Sequence, residues 1–190
     1  TQSVLPLGGE LTVLMASAPW VEDQFDLKGI DALLDTAAKL PSLRLIMLWR
    51  GVLLKELLDR VERRGIGDRV EIVTEHVDIN SYLNRAHAAV LPAKRGDIVK
   101  AYPHSLLESL IAGKPVILSD ALPMADYVRQ EKCGVVVDEV TEQSLLQAFD
   151  QLRTRYDEFA RAVRRIDPQI FSENTMIETY RRIYRRDDAS

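Results

Sequence analysis

Glu108 stands in the second turn of a helix that the segment Tyr102–Asp120, YPHSLLESLIAGKPVILSD, encodes almost unaided. Pro103 suits the first turn, where its missing N–H costs nothing, and Gly113 suits the position just past the last turn. Leu106, Leu107, Leu110 and Ile111 form an apolar stripe, while His104, Ser105, Glu108 and Ala112 gather on the other side. A carboxylate one turn from the free N–H groups of a helix start suits a ligand with phosphate at the helix end and hydroxyls within the carboxylate's reach. A solvated glutamate on an ordinary surface helix is the competing reading.

The elements around this helix alternate. Leu11–Ala16 is a short apolar run and reads as a buried strand, as does Val116–Leu118; Leu43–Leu48, Val70–Val73, Ala88–Leu91 and Gly134–Val137 read as four further strands. Between them, apolar residues recur at helical spacing: Ile30, Leu33, Leu34 and Ala37; Leu54, Leu57, Leu58 and Val61; Ile79, Tyr82, Leu83 and Ala86, with Asp78 as cap. A helix near Ala125–Glu131 follows, then one long or two broken helices from Leu145 to Val163, and a last helix capped by Ser172. Strands alternating with helices predict an α/β fold, a doubly wound, mainly parallel six-stranded Rossmann-like sheet with helices on both faces. One domain over residues 1–190 accommodates it.

Ligands of such sheets bind beyond the carboxyl ends of the strands. Two of those loops carry cations: Trp49-Arg50-Gly51 puts a guanidinium at a strand exit, and Ala93-Lys94-Arg95-Gly96-Asp97 leads through Lys100 into the helix of Glu108. Both suit an anionic ligand.

Bulk composition narrows the classes. A net charge of −4 gives no reason for a nucleic-acid or anionic-membrane partner, and 46% hydrophobic content is enough for a full core. The late arginines lie among acids on helical stretches, as on a solvated face. A lone cysteine, Cys133, excludes an internal disulfide and fits a reducing compartment, so a cytoplasmic location is expected. No apolar run reaches membrane-spanning length, which leaves membrane contact to any longer parent protein. There is no Walker-type phosphate loop, no Gly-x-Gly-x-x-Gly after the first strand, no Gly-x-Ser-x-Gly elbow and no local His/Cys cluster, so no metal site is expected.

Taken in order, the motifs resemble the C-terminal, donor-binding domain of a GT-B fold glycosyltransferase, close to glycosyltransferase family four. The resemblance covers nearly the whole chain. It rests on Lys28-Gly29 before an LL-containing helix, Asp68-Arg69-Val70 turning into a strand, YLNRAHAAVLP (Tyr82–Pro92) and, most specifically, SLLESLIAGKPVILSD (Ser105–Asp120). Asp126 falls where the family has a glutamate, and Ser172–Tyr184 resembles its closing helix.

The resemblance implies a retaining hexosyltransferase that uses a nucleoside diphosphate sugar without cofactor or metal. Its N-terminal acceptor domain would lie outside this sequence, and the isolated chain would transfer nothing. Glu108 matches the ribose-binding second glutamate of the family's Glu-x7-Glu motif, Lys28 its phosphate-binding lysine, and His104 and Ser105 the backbone amides that cradle diphosphate. Tyr102, at the head of the segment, counts with the donor-binding set. The chain departs from the family at two places. Lys100 occupies the position of the first glutamate, and no Arg or Lys precedes Lys28 where a phosphate-binding arginine is usual. Arg50 or Lys100 would then substitute for that cation. The same departures fit a catalytically diverged, non-enzymatic binding or scaffold module, and an unrelated nucleotide-binding module is a third reading.

Overall fold

The computed structural model describes residues 8–171. Six strands, β1 (Leu11–Met15), β2 (Leu43–Leu48), β3 (Val70–Val73), β4 (Ala88–Leu91), β5 (Val116–Ser119) and β6 (Gly134–Val137), form one parallel sheet in the order β3-β2-β1-β4-β5-β6. Eight α-helices occur among the described residues: α1 (Gln24–Leu27), α2 (Ile30–Lys39), α3 (Leu54–Arg63), α4 (Ile79–Leu83), α5 (His104–Ile111), α6 (Met124–Glu131), α7 (Glu142–Thr154) and α8 (Tyr156–Val163). The helical stretch from Leu145 to Val163 is thus two helices, broken at Arg155. The helix expected after Ser172 lies outside the described residues.

Strands buried on both faces need continuous apolar side chains, and every residue of β4 and β5 is buried. Right-handed crossovers set α2, between α3 and α7, on one face, and the packed pair α4 and α5 on the other. The main core joins Leu33 and Leu34 of α2, Leu145, Phe149 and Leu152 of α7, and the inner residues of the sheet. A smaller cluster of Leu14, Ile46, Leu48, Leu83 and Ala86 lies under α4.

The chain runs outward from β1 to β3, returns to β4 beside β1, and then proceeds the other way. β1 and β4 therefore send their following segments in opposite directions, which opens a crevice above their carboxyl ends. At their amino ends the junction is closed by a side chain. His87 Nδ1 accepts from the Thr12 N–H at 3.0 Å while the His87 N–H donates to the Thr12 carbonyl at 2.8 Å. The Tyr156 hydroxyl of α8 donates to the His87 carbonyl at 3.1 Å.

The helix of Glu108 differs from its expected face. Pro103 is the extended residue before the helix, and Gly113 follows with φ 77°. Ile111 is 42% exposed, whereas Ser109 is fully buried with Leu106 and Leu110. The Ser109 hydroxyl donates to the carbonyls of Lys114 and Pro115 at 3.3 and 3.4 Å, so a polar residue sits on the buried face with its hydrogen bond satisfied.

Candidate functional site

A cavity of about 770 Å³ opens above the β1–β4 crevice. Its floor is the strand ends, Ala16, Leu48 and Leu91, and its walls come from the loops beyond them. Lys28, Arg50, Lys100, His104, Ser105 and Glu108 all line it, so six of the seven residues singled out from the sequence converge on one space. Tyr102 does not. It is 45% exposed and outside the cavity lining, since Pro103 is the residue that turns the chain onto the wall. Asp126 is likewise outside the lining, with an exposed carboxylate 3.7 Å from Arg129.

α5 points its start at the cavity. No side chain caps it, and the first N–H that closes a turn onto Pro103 belongs to Leu106. The N–H groups of His104 and Ser105 are therefore available to an anion at the positive end of the helix. One turn on, Glu108 is half-buried. Burial pushes its carboxyl above the ordinary 4.5; His104 and then Arg50 pull it back down, and Asp78 adds to the rise. Asp78 caps α4 through the Asn80 N–H at 3.0 Å, as its sequence position predicts.

Lys28 is 5% exposed, and its ammonium donates to the Ala18 carbonyl at 2.6 Å. Burial lowers its pKa. The loop that carries Ala18 is long and acidic, and the structure gives its acids a purpose. Glu22 meets Arg60 at 3.4 Å, Asp26 meets Lys94 at 2.5 Å, and buried Phe25 lies beneath the Arg60 guanidinium and beside Trp49. Complete burial of a phenylalanine contributes about 2 kcal/mol, so this ring anchors the loop.

The basic loop before α5 departs from expectation. Lys94 is held by Asp26, and Arg95 by Asp97 at 2.5 Å; neither cation lines the cavity. Of that loop's cations Lys100 alone is in the wall, with Nζ 3.5 Å from His104 Nε2. Among the other wall residues, Trp20, Glu75, His76 and Asn80 went unmarked as site residues in the sequence. Trp20 is 69% exposed at the mouth, and an exposed tryptophan has no periodic signature that would flag it. Among the described residues, no cluster of three His, Cys, Asp or Glu side chains is placed to hold a metal ion, and no helix is long and apolar enough to cross a membrane.

Comparison with known proteins adds independent evidence. The family described as Glycosyl transferases group 1 matches residues 21–166. An exopolysaccharide phosphotransferase of Streptomyces coelicolor is 27% identical over 113 residues, which are 59% of this chain and 12% of that protein. A glycosyltransferase from Rickettsia africae superposes with a TM-score of 0.76 at 16% identity, covering 94% of this chain and 48% of the other. Anabaena HepE, solved in complex with UDP-glucose, gives 0.67 at 19% identity over 81% and 42%. The chain thus spans about half the length of these solved relatives.

Proposed function

The chain belongs to the Glycosyl transferases group 1 family, and on that premise we propose that its cavity binds a nucleoside diphosphate sugar as the C-terminal half of a retaining hexosyltransferase. The carrying observation is the convergence of Glu108, Lys28 and the uncapped start of α5 on one cavity at the sheet's topological switch point. Such sheets hold nucleotides there. In this reading Glu108 accepts hydrogen bonds from the ribose hydroxyls, and the His104 and Ser105 N–H groups with Lys28 hold the diphosphate.

The residues also account for the chemistry. As the bond from the sugar's anomeric carbon to the β-phosphate oxygen breaks, negative charge gathers on the departing diphosphate. A fixed ammonium and oriented amides stabilise that charge where it develops, without reorganising. The acceptor would be held by a second domain. Since bringing donor and acceptor together supplies much of the rate, this half alone binds donor without transferring sugar.

Calorimetric titration with UDP, GDP and ADP and their sugar conjugates tests the reading. Saturable binding of one nucleotide family, weakened at least about tenfold in Glu108→Ala, is the expected result. A non-catalytic binding or scaffold module is the second reading, favoured by Lys100 at the place of the first glutamate in the Glu-x7-Glu pattern that this segment resembles; binding of none of the nucleotides would establish it over the first.

A further inference from the structure

Lys100, His104 and Glu108 are spaced four residues apart and line the same cavity. Lys100 Nζ is 3.5 Å from His104 Nε2, and His104 in turn exerts the largest charge effect on the Glu108 carboxyl. Lys100 lies in the loop before α5, His104 is the first residue of that helix, and Glu108 stands about one turn further in, so a line along the wall passes from a carboxylate, past the amide end of α5, to an ammonium.

A nucleotide sugar laid along this line has one direction. Its ribose meets Glu108, its diphosphate meets the α5 amides and Lys28, and its sugar reaches Lys100. The ammonium there is exposed and forms no ion pair among the described residues, although Lys94 and Arg95 of the same loop are both matched with aspartates. It also lies beside the first residue of α5, at the positive end of that helix, where an anion is favoured. An ammonium offers donors and no acceptor, and its charge is concentrated at one point. A neutral sugar would draw on both donors and acceptors, whereas a carboxylate on the sugar ring answers this site directly.

We propose that the transferred sugar is anionic, a hexuronate, and that Lys100 selects it by binding its carboxylate. The inference rests on the nucleotide-sugar reading above and names the donor class within it.

The test compares UDP, UDP-glucose and UDP-glucuronate by calorimetry at one ionic strength, with GDP-mannose and GDP-mannuronate as the pair should the guanine nucleotide bind instead. The wild-type chain is expected to prefer the uronate by about tenfold. Lys100→Ala should abolish that preference while the parent nucleotide's affinity stays within about threefold, and Lys100→Glu should reverse it. Equal wild-type affinity for the two sugars overturns the proposal. So does a Lys100→Ala variant that loses the plain nucleotide and both conjugates equally, which would make Lys100 a phosphate contact. If no nucleoside diphosphate binds the wild-type chain, the nucleotide-sugar reading fails and this inference with it. Thermal melts of the variants confirm folding, since Lys100 is exposed.

Discussion

The Lys28 ammonium donates to the Ala18 carbonyl at 2.6 Å, ten residues back along the chain. The bond closes the long loop after β1 and fixes a cation in the cavity wall. Its position sets function against stability, because burial lowers the pKa of the ammonium. The native chain therefore holds this proton less tightly than the unfolded chain does. Stability from this group is reduced at neutral pH and recovers as pH rises from the lowered value toward the ordinary 10.5.

Lys28→Met keeps the buried stem and removes the charge. Its melting temperature without ligand is expected to equal or exceed that of the wild type, while affinity for the bound nucleoside diphosphate falls more than about tenfold. Scanning calorimetry paired with titration reads both. A variant that melts lower yet binds nucleotide unchanged would contradict the role given to this lysine.

Glu108 provides a pH signature of opposite sense. Its carboxyl is raised above 4.5 by burial, so between 4.5 and the raised value the native chain carries a proton that the unfolded chain lacks. Stability from this group is fully present below that window and is lost as pH rises through it. In the proposed role, accepting hydrogen bonds from both ribose hydroxyls needs the ionised form. Nucleotide affinity should therefore decline as pH drops through the window, and Glu108→Gln should flatten that decline, bind about tenfold more weakly at pH 7, and melt slightly higher without ligand. An acid limb that persists unaltered in the variant would assign the titration to another group.

Gly29 is the third test. Its φ is 71°, and a Cβ there would lie 2.1 Å from the Pro92 carbonyl oxygen and 2.9 Å from Val140 Cγ1. Gly29→Ala combines left-handed strain with a backbone clash at the exit of β4, for an expected loss of about 3 kcal/mol in urea denaturation. A loss below about 1 kcal/mol would show that Pro92 yields easily.

How much of this was legible beforehand depends on whether a feature is local. Leu43–Leu48, Val70–Val73, Ala88–Leu91 and Gly134–Val137 have the bounds expected from the sequence, because each is a local run; the central β4 is buried throughout, whereas the edge strand β3 is half-buried and admits Glu71. Asp78 was readable as a cap for the same reason, since its partner is two residues away. Features set by distant partners were not readable. Nothing near Lys94 in the sequence betrays that it is neutralised by Asp26, 68 residues away. Ser109 looks like a polar-face residue until the turn after Gly113 brings two carbonyls to its hydroxyl. Tyr102 was placed with the ligand by proximity in sequence, and the bend at Pro103 separates it from the cavity.

The floor under Lys28 and Glu108 consists of Ala16, Leu48 and Leu91, at or just past the ends of strands already locked into the sheet. Its contour is therefore settled when the domain folds, and a ligand arrives at a prepared bed with little ordering left to perform. Arg50, Lys100 and Trp20, by contrast, are exposed on the rim and contribute little to holding the sheet together. Recognition can thus be rewritten at the rim, residue by residue, while the platform beneath keeps its shape.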